Sequence, residues 1–282
     1  MQLNVLAKRI FPGFSTRLAI RRAAFFPLDV LDLLVGRRDA LVPPRGLWFV
    51  GGGHFSENQY LASFISLCNL LPHHRVLDVG SGIGKQAVPL ARYLRPEGSY
   101  EGFDIVKEGV QWCEREITSR FPNFRFRHID VFNKHYNPRG RVLPSQWKFP
   151  YPDAEFDFVC VNSVFTHMLP DAVANYIKEI GRVLKPGGRS FISFFLLNDE
   201  SVRLIEGGRG TIALIHRRSG YSVLDPKFPE TAVGLPQDFV MQCYQGSGLS
   251  IGSVHYGSWC GRCHAAFYQD IMISAGVEVR TN

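Results

Sequence analysis

The chain has 282 residues, 45% of them hydrophobic, and a formal net charge of +7 at pH 7. That length suits one sizeable α/β domain with insertions, and the hydrophobic share is ordinary for a soluble globule. No run reaches the ~18 apolar residues of a membrane span, and repeats and low-complexity tracts are absent from the sequence.

Residues 1 to 28 contain Lys8, Arg9, Arg17, Arg21 and Arg22, no acid, and interleaved apolar residues such as Leu3, Leu6, Phe11, Leu18 and Ile20. The segment lacks the apolar core and cleavage site of a secretory signal. Three readings stay open: a peripheral membrane contact, a transit peptide, or a helical cap with solvated arginines. A cap segment over 1–54 precedes a main domain over 55–282, and a glycine-rich loop at the junction carries His54.

The run Val76-Leu77-Asp78-Val79-Gly80-Ser81-Gly82-Ile83-Gly84 reads as a buried strand ending in a glycine loop. Glycines there permit positive φ and remove Cβ atoms that would hold a ligand off the main chain. Lys85 onward is predicted as a helix with Ala87, Leu90, Ala91 and Leu94 on one stripe. The G-x-G-x-G spacing differs from the dinucleotide pattern G-x-G-x-x-G, and lysine stands at 85.

Ser99 to Asp104 is the second predicted strand, and Asp104 at its end suits the two hydroxyls of a ribose. A helix follows from Val106 to Phe121, then a strand from Phe124 to Ile129 ending at Asp130. Phe156 to Asn162 is a buried strand, Asp171 to Leu184 a helix, Lys185-Pro186-Gly187-Gly188 a turn, and Arg189 to Leu197 a fifth strand. Strands alternating with helices imply a three-layer α/β fold on a mostly parallel sheet, with ligands at the strands' carboxyl ends. Pro236 to Gly248 reads as a last helix, and Leu249 to Trp259 and Phe267 to Ile273 as the last two strands.

These motifs, in this order, resemble the class I S-adenosylmethionine-dependent methyltransferases over residues 55 to 197. The resemblance implies a Rossmann-like fold of seven strands with an antiparallel C-terminal hairpin, and S-adenosyl-L-methionine as cofactor. It implies that Asp78, Gly80, Ser81, Gly82 and Gly84 wrap the methionine part, and that Asp104 with Ile105 holds the ribose. Asp130 with Val131 would lie beside the adenine, and Asn162 with Ser163 would line the cofactor's other side. Val42-Pro43-Pro44-Arg45, Gly51-Gly52-Gly53-His54-Phe55, Tyr136-Asn137-Pro138 and Ser163 to Met168 look like a bacterial subgroup acting on small molecules.

Methyl transfer to a hydroxyl needs a base, and His167, after strand four on the ligand side, is the first candidate for it. Packing on the cofactor or capping a backbone group is the other role open to His167, and His54 is a second candidate base. Asn133 to Pro152 and Glu206 to Leu235 are long links expected to act as lids. His216-Arg217-Arg218 in the second could hold an anionic acceptor group.

The expected activity is methylation of a small molecule, at a hydroxyl of a sugar or secondary metabolite. The rivals are an enzyme acting on a membrane lipid or quinone, a non-catalytic binding module, and a nicotinamide enzyme. Nucleic acid is a poor partner, since Asn162-Ser163-Val164-Phe165 lacks the Pro-Pro-aromatic run of amino-methylating DNA enzymes and no Pro-Cys pair supplies a nucleophile. Cys68, Cys113 and Cys160 fall on apolar stripes, which fits buried thiols in a reducing, cytoplasmic compartment. Cys260-Gly261-Arg262-Cys263-His264 matches redox and haem-attachment patterns without their context, and no metal site is expected.

Overall fold

A computed structural model describes residues 13–37, 39–49 and 60–277. Helix α1, Phe14–Leu34, and helix α2, Leu61–Cys68, precede the first strand. Then follow β1 (Arg75–Val79), α3 (Ala87–Tyr93), β2 (Ser99–Asp104), α4 (Lys107–Cys113), β3 (Phe124–His128), β4 (Phe156–Val161), α5 (Pro170–Val183) and β5 (Leu184–Phe194). The remaining elements are β6 (Leu196–Leu197), α6 (Asp199–Glu206), β7 (His216–Arg218), β8 (Tyr221–Val223), β9 (Val233–Pro236), α7 (Gln237–Tyr244), β10 (Leu249–His255) and β11 (Asp270–Gly276).

The main sheet has seven strands in the order β10-β11-β5-β4-β1-β2-β3. Strands β3, β2, β1, β4 and β5 run parallel, and β11 enters antiparallel between β5 and β10. The order reverses between β1 and β4, and this switch point opens a crevice at the strands' carboxyl ends.

Both faces of the sheet are covered, which is why β1 and β4 are almost continuously apolar. On one face Leu77, Val79, Val159 and Val161 pack with Val173, Ile177 and Ile180 of α5 and Val240 of α7. On the other, Val76, Phe158 and Cys160 pack with Phe64 of α2, Leu90 of α3 and Val110 of α4. Asp78 is the buried charged residue within β1, and the Tyr100 hydroxyl from neighbouring β2 donates to its Oδ2 at 2.6 Å.

Three local features depart from the sequence expectations. The helix expected from Val106 to Phe121 is α-helical only over Lys107–Cys113 and continues as a π-helical turn over Glu114–Thr118. Strand β5 begins at Leu184, before the expected turn; Phe156 pairs with Leu184 and Phe158 with Arg189, so residues 185–188 bulge out of the ladder. Leu196–Leu197 leaves the main sheet to pair with β9 in a second, four-stranded sheet of order β6-β9-β8-β7. Most of that sheet comes from the link between Glu206 and Leu235.

Candidate active site

Strand β1 delivers the chain to Gly80, where Gly80 and Ser81 both donate their N–H groups to the Phe103 carbonyl at 2.9 and 3.0 Å. The loop turns through positive φ at Gly80 (80°), Gly82 (57°) and Gly84 (77°). At Gly80 any side chain would also collide, because a Cβ would lie 2.3 Å from Val164 Cγ2. The Gly82 N–H donates to Asp104 Oδ2 and the Val106 N–H to Oδ1, each at 2.8 Å. Desolvation pushes the Asp104 pKa up, and the N–H groups of Val106, Gly82 and Ile105 oppose that rise. Burial pushes the Asp78 carboxyl up to about 6, opposed by hydrogen bonds from Tyr100 and Cys160.

At the end of β4, Ser163 takes a left-handed conformation with φ 57°. Its N–H donates to Ser193 Oγ at 2.8 Å, and its hydroxyl donates to Gln269 Oε1 at 3.0 Å. A 3-10 turn, Phe165–His167, follows. His167 Nδ1 lies 3.0 Å from the Glu230 carbonyl oxygen. A carbonyl only accepts, so Nδ1 carries the proton and Nε2 is the basic nitrogen of the neutral ring. Tyr136 meets the His167 ring edge-on at 5.8 Å.

Glu230 joins both links to this turn. Its Oε1 accepts from Asn133 Nδ2 at 3.2 Å and its Oε2 from the Lys134 N–H at 2.7 Å. Asn133 Nδ2 also lies 3.3 Å from the His167 carbonyl oxygen. Burial raises the Glu230 pKa, and the Lys134 N–H opposes it.

These residues enclose a cavity of about 850 Å³. Asp78, Gly80, Ser81, Gly82, Asp104, Ile105, Val131, Asn162, Ser163 and His167 all line it. Gly84 does not; it packs behind the loop, where a Cβ would lie 2.7 Å from Ile117 Cδ1. Asp130 also lies outside the lining, since its Oδ2 accepts from Arg141 Nε at 2.5 Å, and that bond lowers its pKa. His54 falls outside the described residues. His216, Arg217 and Arg218 are exposed on β7 and do not line the cavity.

Sequence reasoning passed over Thr166, Asp171, Glu230 and Gln269, which also line it. Thr166 sits inside the quoted run 163–168 and could have been found there; Glu230 carries no local signal. Among the described residues no group of His, Cys, Asp or Glu could hold a metal. All six cysteines are free thiols, with Cys260 buried and Cys263 exposed.

Residues 77–192, the stretch that builds this loop and most of the cavity floor, match the family described as methyltransferase domain. Over residues 77–192 the chain carries a methyltransferase domain of the class I S-adenosylmethionine-dependent kind. It is 29% identical over 148 residues to the 27-O-demethylrifamycin SV methyltransferase of Amycolatopsis mediterranei, a match covering 50% of this chain and 48% of that protein. It is 32% identical over 129 residues to the fatty-acid O-methyltransferase of Mycolicibacterium smegmatis, covering 46% and 38% respectively. The chain thus spans less than half the length of these curated relatives. A solved S-adenosylmethionine-dependent methyltransferase from Methanosarcina mazei shares the fold, with a TM-score of 0.50 and 22% identity over 74% of this chain and 94% of that one.

The cofactor of the methyltransferase family is S-adenosyl-L-methionine. The residues fit it. Ser81 Oγ, both amide atoms of Asn162 and Thr166 Oγ1 are buried with no hydrogen-bond partner among the described residues. An unpaired buried polar group costs about 1–3 kcal/mol, so four such atoms around one cavity call for a polar ligand. A carboxylate has about four acceptor sites, so beside the N–H groups of Gly82, Val106 and Ile105 Asp104 has room for a hydroxyl donor.

Proposed function

We propose that this protein transfers the methyl group of S-adenosyl-L-methionine to a hydroxyl oxygen of a small molecule, with His167 as general base. The observation that carries the reading is the shared cavity: the glycine loop, Asp104 and the unpaired Asn162 amide border the same space as His167. The cofactor supplies an electrophilic methyl on a sulfonium. The protein's task is to hold it, orient the acceptor, exclude water and take one proton.

Asp104 accepts from the ribose hydroxyls, and the main chain at 80–82 lies against the methionine part. Asn162, Ser163 and Val131 border the adenosyl moiety. His167 takes the proton of the acceptor hydroxyl on Nε2, while the Glu230 carbonyl holds Nδ1–H and stabilises the imidazolium that forms.

The acceptor is apolar in its body. Leu143 from one link, Ile212 and Leu224 from the other, and Met168, Leu169 and Phe195 wall the rest of the cavity. This favours a hydroxylated secondary metabolite over a free sugar, and a lipid or quinone of the same character is the second reading. Both relatives above carry names that describe methyltransferases, one of them for an O-methylation of fatty acids. The test is turnover of radiolabelled cofactor with a panel of hydroxylated polyketides, quinols, hydroxylated lipids and sugars, followed by assignment of the methylated atom by NMR. O-methylation of an apolar member supports the reading; methyl on nitrogen or carbon, or on sugars alone, contradicts it.

A further inference from the structure

Asn133 opens the first of the two long links, Glu230 lies near the end of the second, and the two meet at His167. Both are buried, at 7% exposure. The Asn133 amide has no spare hydrogen-bonding capacity. Its Oδ1 accepts from the His135 and Tyr136 N–H groups at 3.0 and 2.9 Å. Its Nδ2 donates to Glu230 Oε1 at 3.2 Å and to the His167 carbonyl at 3.3 Å. Its main chain exchanges two further bonds with Asn137. The amide therefore has one orientation, since turning it over would set its NH2 group against two N–H donors.

Glu230 is specified as closely. Both groups at its carboxylate, Asn133 Nδ2 and the Lys134 N–H, are donors. The ionised form, which only accepts, is the one that suits them. The carbonyl of the same residue meets His167 Nδ1 at 3.0 Å and belongs to the short 3-10 turn Pro229–Thr231. The Glu230 carboxylate anchors that turn to the first link. Three contacts of His167 thus depend on this pair: the Glu230 carbonyl on Nδ1, the Asn133 amide on the His167 carbonyl, and the edge-on ring of Tyr136, whose N–H Asn133 holds.

A general base must present a bare nitrogen to the proton it takes. A neutral imidazole has one N–H to place, and with that proton on Nε2 the ring cannot accept there. Which nitrogen carries it is set by what the other one meets.

We infer that Asn133 and Glu230 are positioning residues that clasp the two links together and so hold His167 in its Nδ1–H tautomer, an inference that rests on the proposed role of His167 as base. The same links wall the acceptor end of the cavity with Leu143, Ile212 and Leu224. The clasp therefore ties the shape of that end to the orientation of the base.

Nitrogen-15 NMR of the full chain, labelled at histidine, tests this without any acceptor. The chain has nine histidines, and the His167 signals are those missing from His167→Gln. At a pH where the ring is neutral, the unaltered protein should hold Nδ1–H over Nε2–H by at least about tenfold. Glu230→Gln keeps the main-chain carbonyl but sets an NH2 group against one of the two donors. A change at His167 then reports the clasp and not a lost partner atom. The excess should fall below about threefold.

Asn133→Asp/Glu230→Gln puts an acceptor opposite the new NH2 group and keeps one for His135 and Tyr136. It gives up the donation to the His167 carbonyl and should still return the excess above about threefold, even where the single variant does not fold. Circular dichroism shows which variants are folded. An excess under about tenfold in the unaltered protein, one above about threefold in a folded Glu230→Gln, or a double variant that stays below that level or does not fold overturns the inference. Turnover of His167→Gln tests the base by itself, so a tautomer indifferent to Glu230→Gln removes the clasp and leaves the base standing.

Discussion

The main-chain N–H of Gly82 donates to Asp104 Oδ2 over 2.8 Å, which makes the glycine loop and the acid after β2 one unit. Asp104 also accepts from the Val106 N–H, so Asp104→Ala leaves two buried donors without their acceptor. The expected loss of stability is about 1–3 kcal/mol, because desolvation of the native carboxylate offsets part of the gain from its bonds. Urea unfolding without ligand measures it, and an unchanged midpoint and slope would show that the acid does not brace the loop.

Gly80→Ala should cost on the order of 3 kcal/mol, combining the left-handed φ with the clash on Val164. The two contributions separate. Measured against Val164→Ala alone, adding Gly80→Ala should cost only the conformational share, about 1–2 kcal/mol. If the cost is the same with and without the Val164 side chain, the close approach has no energetic weight.

Burial pushes the Asp78 carboxyl up to about 6 from an ordinary 3.8, so the folded protein holds this proton more tightly than the unfolded chain. Its stabilising contribution is complete below pH 3.8 and is lost as pH rises through 6. Asp78→Asn keeps an acceptor for the Tyr100 hydroxyl and never ionises. The variant should gain on the unaltered protein as pH climbs from 4 to 6, reaching a plateau on the order of 3 kcal/mol. Unfolding free energies across that range check it; a constant offset would mean that Asp78 is not the titrating group.

His167→Gln retains a donor for the Glu230 carbonyl but no basic nitrogen. With an acceptor in hand, kcat should fall by about 10²–10⁴-fold while cofactor affinity holds, and the acid limb of the kcat profile should disappear. A variant that loses cofactor affinity and turnover together would assign His167 to packing instead.

The parallel core was legible because β1, β4 and β5 carry short apolar runs, β3 alternates apolar with basic residues, and the helices between them repeat at helical spacing. The placing of Gly80 to Gly82 beside Asp104 at the cavity was legible because it depends on neighbours close in sequence and on the next strand. Asp130 was not: it ends a strand as Asp104 does, yet Arg141, eleven residues on, draws its carboxylate away from the cavity. Glu230 was invisible for the same kind of reason, since Asn133 and Lys134, almost a hundred residues earlier, account for its burial. Strands β7 and β8 have three residues each, too short for alternation to register, so their sheet read as a lid. For residues 1 to 28 the sequence left a membrane contact, a transit peptide and a cap open, because the bonds from residues 45 and 46 that orient α1 leave no periodic trace.

Calorimetric titration with S-adenosylhomocysteine, and with NAD as the control, tests most directly whether this cavity is built for an adenosyl sulfonium. One site per chain should bind the homocysteine nucleoside, Asp104→Ala should weaken it at least about tenfold, and NAD should give no heat of binding. Absence of binding by the unaltered protein, or equal affinity in the Asp104 variant, would contradict the account.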